Sequence, residues 1–526
     1  MSILAYILVI PFLAALLIAL IPGNYRFVIR SVALLATLIS AVLAVKLFLL
    51  FDPDATGFQF ATNIPWVPSL GIQFRIGVDG INLGLILMGA LVAFAATCLS
   101  KEIKSREKEF YFLLMVMAGG ILAAFASLDL FFFYFFHELA LVPTFIMIGV
   151  WGHGERKNFA TFQITLYLSL GALLALTGLI ALYLQLPAGQ RTFDMVEMAK
   201  LFGAKPMAAA AQKSIFPLLL FGFGILVSLW PFHTWAPLGY GCAPTPTAML
   251  HAGVLKKFGL YGLIRIAIPL MPEGAKSWMH LLALLCLGNI LYCGWVAMRQ
   301  RDFNLLLGNS SVAHMGIAFL GLASLSLIGV TGTVLVMIAH GFLAALAFGL
   351  SGYLRQQLGT LEIGEMGGLI KKLPFVGTVM IMALFAGCGL PGFANFPGEL
   401  LVMFGAWKGM GKFVSVAAWG ALIIGAIYAL RAVRDIWHGP LRERWASEPL
   451  LDARDSSGFS FFNAWRKVPF LLLLGCLLVF GFYPQWLVAR IEPSVARVLK
   501  CGPREIKKPV KKKSTALPAI PRKRRQ

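Results

Sequence analysis

A handful of ionisable side chains interrupt long apolar runs, where a charge is costly unless it is paired or hydrated. Glu138, flanked by His137, lies in FFFYFFHELALVPTFIMIG. His251, Lys256 and Lys257 lie in PTAMLHAGVLKKFGLYGLIRI, His314 in NSSVAHMGIAFLG, His340 in VMIAHGFLAALAFG, and His233 in SLWPFHTW. Glu399 follows a Gly/Pro-rich break in GCGLPGFANFPGELLVMFGAW. Glutamate, lysine and histidine strung through apolar sequence are what a proton path needs. Carboxylate and amine hold or release charge, imidazole passes it on, and burial tunes their proton affinity. The competing reading is structural: glutamate–lysine pairing between helices, and histidines simply hydrogen-bonded in place. Glu138, Lys257 and Glu399 are the primary transport candidates, with His314 and His340 between them. Lys256, His137, His251 and His233 are secondary.

No other chemistry is written in the chain. Its seven cysteines lie mostly in apolar runs, with no CxxC and no Cys/His cluster of zinc or iron–sulfur spacing. They read as small buried hydrophobes, and no metal site is expected. No Walker A loop, dinucleotide fingerprint or haem motif occurs, so redox or nucleotide chemistry would belong to partner chains.

The elements that must position these residues follow from composition. The chain has 526 residues, 59% hydrophobic and 13% charged, with mean hydropathy +0.81. Soluble domains carry roughly twice that share of charge, so a soluble enzyme is excluded and the solvent is lipid. The formal charge of +22 resembles that of a nucleic-acid binder until it is located. Residues 500–526 hold eleven basic residues and one acidic, which is ten of the 22. Most of the remainder sits in short loops, where it sets topology, and no nucleic-acid partner is expected.

Fourteen spans are read at 3–22, 28–51, 80–99, 110–126, 130–150, 160–186, 214–231, 247–270, 278–298, 305–325, 329–353, 374–407 (interrupted), 413–432 and 469–490. The N-terminus lacks a basic n-region and a small-residue cleavage site, so it reads as a retained first span. The basic loops Arg26/Arg30, Lys101–Lys108, Arg156/Lys157, Arg299/Arg301, Arg355–Lys372 and Arg431–Arg444 all fall on one face. The positive-inside rule makes that face cytoplasmic and puts the N-terminus outside. An even count also puts the basic tail outside, where its Lys/Pro/Arg content predicts disorder. The resulting divisions are 1–109 N-terminal helices, 110–231 first repeat, 232–325 central helices, 326–432 remainder of the second repeat, 433–468 cytoplasmic amphipathic segment, 469–490 last span and 491–526 tail. In SLWPFHTWAPLGYGCAPTPT and GLPGFANFPGE, Gly and Pro break apolar runs, as transporters do at ion sites.

Six stretches then resemble a known family: FFFYFFHELALVPTFIMIGVWGHGERKNFA, WPFHTWAP, HAGVLKKFGLYGLIRI, SSVAHMGIAFLG, MIAHG and GLPGFANFPGELLVMFGAW. In order and spacing they resemble the antiporter-like membrane subunits of respiratory complex I, most closely the M-type chain of NADH–quinone oxidoreductase. The resemblance implies an all-α polytopic fold of fourteen helices in two inverted five-helix repeats, with helices seven and twelve broken. It matches Glu138 to the helix-five glutamate, Lys257 to the central helix-eight lysine, Glu399 to the helix-twelve glutamate, and His314 and His340 to the connecting path. It implies L-, N- and K-type partner chains, FMN, iron–sulfur clusters and quinone in partner subunits, no cofactor in this chain, and a bacterial inner (plasma) membrane.

The departures are specific. Leu226 stands where the family has its helix-seven lysine. Leu238, Tyr240 and Cys242 replace Asp, His and Glu, and Asn304 and Leu305 replace basic residues. Glu138 thereby loses its usual cationic partner. Lys256, His137 or His251 could substitute, coupling could differ, or the chain could be a non-conducting scaffold. The expected function is proton translocation coupled to quinone reduction. The rivals are a subunit of a multisubunit cation/proton antiporter or membrane-bound hydrogenase, and a scaffold.

Overall fold

Leu, Ile, Val, Phe and Ala run right round most helices, as they must when hydrocarbon is the solvent and each helix satisfies its own backbone. The structure is a computed structural model that describes residues 2–447 and 461–499. Its elements are α1 (Ile3–Leu20), α2 (Arg26–Leu50), β1 (Gln59–Val67), β2 (Ile72–Val78), α3 (Gly80–Leu99), α4 (Glu107–Ala126), α5 (Leu130–Trp151), α6 (Lys157–Leu184), α7 (Met195–Ala204), α8 (Ala209–Leu226), α9 (Trp235–Cys242) and α10 (Thr245–Gly253). They continue as α11 (Phe258–Gly262), α12 (Ile268–Leu270), α13 (Pro272–Leu287), α14 (Gly294–Arg299), α15 (Phe303–Ala323), α16 (Leu327–Leu358), α17 (Pro374–Gly387), α18 (Asn395–Trp419), α19 (Gly425–Ala432), α20 (Glu443–Ser447), α21 (Phe461–Phe482) and α22 (Gln485–Val498).

Among the described residues, twelve helical runs are long and apolar enough to cross a membrane. The difference from the fourteen expected lies in two places. The span expected at 247–270 is interrupted: α10 ends at Gly253, Val254 leaves helical geometry, Leu255–Lys257 forms a 3-10 turn and Leu263–Ala267 a π turn. The segments expected at 374–407 and 413–432 are divided differently. α17 stops at Gly387, and one apolar run continues from Asn395 to Trp437 over 43 residues. That length is about 65 Å, twice the ~30 Å of hydrocarbon. Met410, at φ −139° and ψ 33°, kinks the run.

Two other expectations are corrected, and the helical fold also carries an antiparallel hairpin, β1–β2. Its turn closes at Gly71, where φ is +69° and a Cβ would meet the Arg191 carbonyl at 2.6 Å. The last span is expected at 469–490, but α21 ends at Phe482 and Pro484 opens α22. Residues 491–498 are therefore helical rather than disordered, because Leu487, Ile491 and Val495 give α22 an apolar face buried against α3 and α16. The rest of the expected tail, 500–526, and residues 448–460 of the amphipathic segment lie outside the described residues.

The basic loops gather on one face, tied by cross-loop bonds. The Thr245 amide and hydroxyl donate to the Glu102 carboxylate (2.5 and 2.8 Å), the His153 amide donates to the Cys242 carbonyl (2.7 Å), and the Ile363 amide donates to the Arg301 carbonyl (2.8 Å). On the opposite face the hairpin is pinned by the Arg75–Asp194 ion pair, and Asp79 at the start of α3 forms a bidentate, buried pair with Arg265 (2.6 and 2.8 Å). Between the two faces α16 is the axis, with its membrane-length window wholly buried.

Both sequence-predicted breaks are present. The first, 227–234 between α8 and α9, frees backbone groups at membrane depth, where water does not satisfy them. Buried Asn289 does so instead. Its Oδ1 accepts from the Trp230 amide (2.8 Å), and its Nδ2 donates to the carbonyls of Ser228 (2.8 Å) and Val312 (3.3 Å). Replacing Asn289 by Leu leaves these groups unpaired at about 1–3 kcal/mol each. The purified protein should unfold several degrees earlier, and a wild-type unfolding temperature would contradict this account of the break.

Candidate functional site

α10 and α16 approach closely because glycine faces glycine. A Cβ on Gly341 would fall 1.7 Å from Met88 Sδ and 2.9 Å from the Gly253 carbonyl oxygen. Small residues at a crossing let backbones touch, as is usual between membrane helices. The approach brings the residues beside these glycines together. Buried Lys257 Nζ lies 2.9 Å from His340 Nδ1 and donates to the Ala252 carbonyl at 2.6 Å. That carbonyl is available because the helix breaks at Val254 and loses its regular ladder.

The His314 ring stands next, 5.3 Å centroid to centroid from His340. Both of its nitrogens face backbone carbonyls: Nδ1 that of Ser310 at 2.7 Å and Nε2 that of Gly387 at 2.8 Å. Only a ring carrying hydrogen on both nitrogens serves both acceptors. Gly387 is the last residue of α17, so its carbonyl belongs to the negative end of that half-helix, which suits a cation. The second break, 388–394, thus aims a helix C-terminus at His314.

The same break receives Glu399. Gly389 has φ +67°, and a Cβ there would fall 2.6 Å from Glu399 Oε2, so the carboxylate rests in a space that only glycine leaves open. Glu399 Oε1 and both side-chain polar atoms of neighbouring Asn395 are buried with no hydrogen-bond partner among the described residues. A cavity of about 10 Å³ joins Glu399 to His314 and Tyr428, and one of about 30 Å³ joins His314 and Tyr428 to His340.

Lys257, His340, His314 and Glu399 are therefore one cluster, whereas the secondary residues divide. Lys256 Nζ contacts the Ser311 hydroxyl at 3.3 Å and the face of Tyr240 at 5.5 Å. Tyr240, one of the departures, also packs on His251, whose Nδ1 has no partner among the described residues. His137 stacks on Phe258, the residue after Lys257, at 3.9 Å. His233 sits apart in the first break, against Tyr292 at 5.6 Å. Leu226 is buried at the end of α8 and brings no cation there. Glu138 stands outside the cluster, with its side chain one-third exposed on the outer side of α5 and His137 Nδ1 at 3.3 Å. Of Lys256, His137 and His251, the expected stand-ins for a cationic partner of Glu138, His137 is the one in contact with it.

On the basic face outside the spans, His153 is pushed down to about 4 by burial and by Arg355 and Lys157, so it stays neutral near pH 7. Burial also raises the Asp302 carboxyl, an effect that nearby Arg355 opposes.

Four residues escaped the sequence reading: Ser310 and Tyr428 beside the cluster, and the Asp79–Arg265 pair on the opposite face. Ser310 sits beside His314, and its hydroxyl bonds Tyr428 OH at 2.9 Å. Tyr428 is one hydroxyl in the apolar stretch GALIIGAIYAL, and a lone polar aromatic at depth was the only signal. Asp79 and Arg265 carried a clearer one, as opposite charges flanking apolar runs.

The profile of the family described as NADH:quinone oxidoreductase/Mrp antiporter, TM, matches residues 127–425, which contain all nine expected site residues. NAD(P)H-quinone oxidoreductase chain 4 1 of Picosynechococcus sp. is 33% identical, across 90% of this chain and 88% of its own. NADH-quinone oxidoreductase subunit M of Rhodobacter capsulatus is 30% identical, across 90% of each. A chain of respiratory complex I from Thermus thermophilus with bound NADH superposes with TM-score 0.83 at 28% identity, covering 95% of this chain and 99% of that one. Fold, site geometry and these likenesses agree: the chain belongs to the NADH:quinone oxidoreductase/Mrp antiporter transmembrane family, in which the subunit M and chain 4 proteins resemble it over most of its length.

Proposed function

We propose that this chain translocates protons in the membrane arm of a multisubunit NADH–quinone oxidoreductase in a bacterial inner membrane. L-, N- and K-type chains would be its membrane neighbours, and FMN, iron–sulfur clusters and quinone would belong to partner subunits. The observation that carries the reading is the Lys257–His340 contact, buried inside the bundle and continued through His314 to Glu399. A fold under selection for stability alone does not keep a lysine at that depth. Protons load from the cytoplasmic face, pass Lys257 and His340, cross the region of His314, and leave outward past Glu399. Redox energy released in partner subunits shifts the affinities along this line.

The family also names the Mrp antiporters, which gives the antiporter rival its standing. The scaffold reading draws on Leu226 and on Glu138, which has His137 as its contact rather than a lysine. Neither observation explains the buried Lys257 cluster.

Two substitutions separate these readings. Glu399→Gln keeps the shape and removes the titration. The complex should still assemble, with proton translocation in proteoliposomes falling by about tenfold or more. Wild-type translocation would remove Glu399 from the path. Lys257→Met deletes a buried cation, so translocation should be lost while the unfolding temperature holds or rises. A scaffold would keep full coupled activity in this variant, and an antiporter would show sodium-dependent transport without NADH oxidation.

A further inference from the structure

Between His340 and Glu399 the obvious carrier is poorly placed to pass a proton on. Both ring nitrogens of His314 are committed to backbone carbonyls, at 2.7 and 2.8 Å. A carbonyl oxygen has no hydrogen of its own to hand forward, so a proton on either nitrogen stops there unless the ring turns. Yet His314 separates the 30 Å³ cavity on the His340 side from the 10 Å³ cavity on the Glu399 side, and Tyr428 and Gly387 line both cavities with it.

Tyr428 supplies what the ring lacks. Its hydroxyl is 2.9 Å from Ser310 Oγ, and Ser310 lines the larger cavity, with its Oγ 3.5 Å from His314 Nδ1. A hydroxyl both donates and accepts, so two in contact form a wire. After the bond to Ser310, Tyr428 OH has capacity left for the smaller cavity, where Glu399 Oε1 is buried without a partner among the described residues. That cavity is at the lower limit for one water.

We propose that Ser310 and Tyr428 form a hydroxyl relay around His314 that carries protons from the His340 cavity to Glu399. The inference rests on the proton-translocation reading above. Ser310 Oγ takes a proton from the His340 side and gives its own to Tyr428 Oη. Tyr428 gives its own to Glu399, directly or across one water. Each hydroxyl forms one O–H bond and breaks one, the donor loses one positive charge, and the carboxylate becomes a carboxyl. No tyrosinate persists, and rotation of the two hydroxyls resets the wire.

The test uses the assembled complex in proteoliposomes with Tyr428→Phe, Ser310→Ala, the double variant and Ser310→Thr, alongside Glu399→Gln. Tyr428→Phe and Ser310→Ala should each cut proton translocation by about tenfold, the scale of one lost proton-transfer group. The double variant should match either single variant, because both interrupt the same wire, whereas two independent packing defects would multiply. Ser310→Thr, which restores a hydroxyl, should recover most of the rate. If Tyr428→Phe impairs assembly, the Ser310 pair decides alone. Translocation within twofold of wild type in Ser310→Ala, or no recovery in Ser310→Thr, overturns the relay. A normal Glu399→Gln variant overturns the underlying reading instead. A defective Glu399→Gln with normal hydroxyl variants overturns the relay alone.

Discussion

The contact between Lys257 and His340 depends on how closely two helices approach, and the surrounding bundle fits that constraint. A lysine amine reaches an imidazole at 2.9 Å inside hydrocarbon because α10 and α16 touch backbone to backbone at Gly253 and Gly341. α16 must then be apolar along its whole length, since neighbours surround it. α10 breaks at Val254, three residues before the lysine, which leaves the Ala252 carbonyl free to accept from its Nζ. One buried amine thus goes with a glycine pair, a helix interruption and, among the described residues, the most enclosed of the membrane-length helices.

The two longer breaks follow the same rule with different partners. Lipid leaves no backbone polar group to water, so each interruption needs a substitute for the lost ladder. In the first break the substitute is a side chain, Asn289, and the break is filled. In the second the freed C-terminal carbonyl of α17 goes to His314, and the room above Gly389 goes to Glu399. The first break thus rests on Asn289 and holds His233, whereas the second meets His314 and Glu399. Leu226 closes α8 at the first break and is buried there.

Much of this was legible in the sequence, because charges in apolar runs are rare and mark themselves. Glu399, Lys257, His314 and His340, which the fold brings together, stand out that way, and Gly/Pro clusters mark both breaks. Three kinds of feature were hidden. The β1–β2 hairpin has mixed polarity and no strict alternation, so period-two patterning gave no signal. The interruption at Val254 carries no proline, and the approach of Gly253 to α16 beside it is a long-range contact that a single sequence does not display. Tyr428 and Ser310 are weakly polar residues whose importance comes from meeting each other 118 positions apart. Glu138 shows the converse limit: its apolar surroundings in sequence implied burial, while the fold places it on an outer face.

The most direct test of the central claim is infrared difference spectroscopy on the assembled complex during NADH-driven turnover. If protons cross between Lys257 and Glu399, a carboxyl band should rise and fall with turnover, shift in heavy water, and vanish in Glu399→Gln. A turning-over complex that pumps protons with no such band, or with one unchanged by that substitution, would contradict the account.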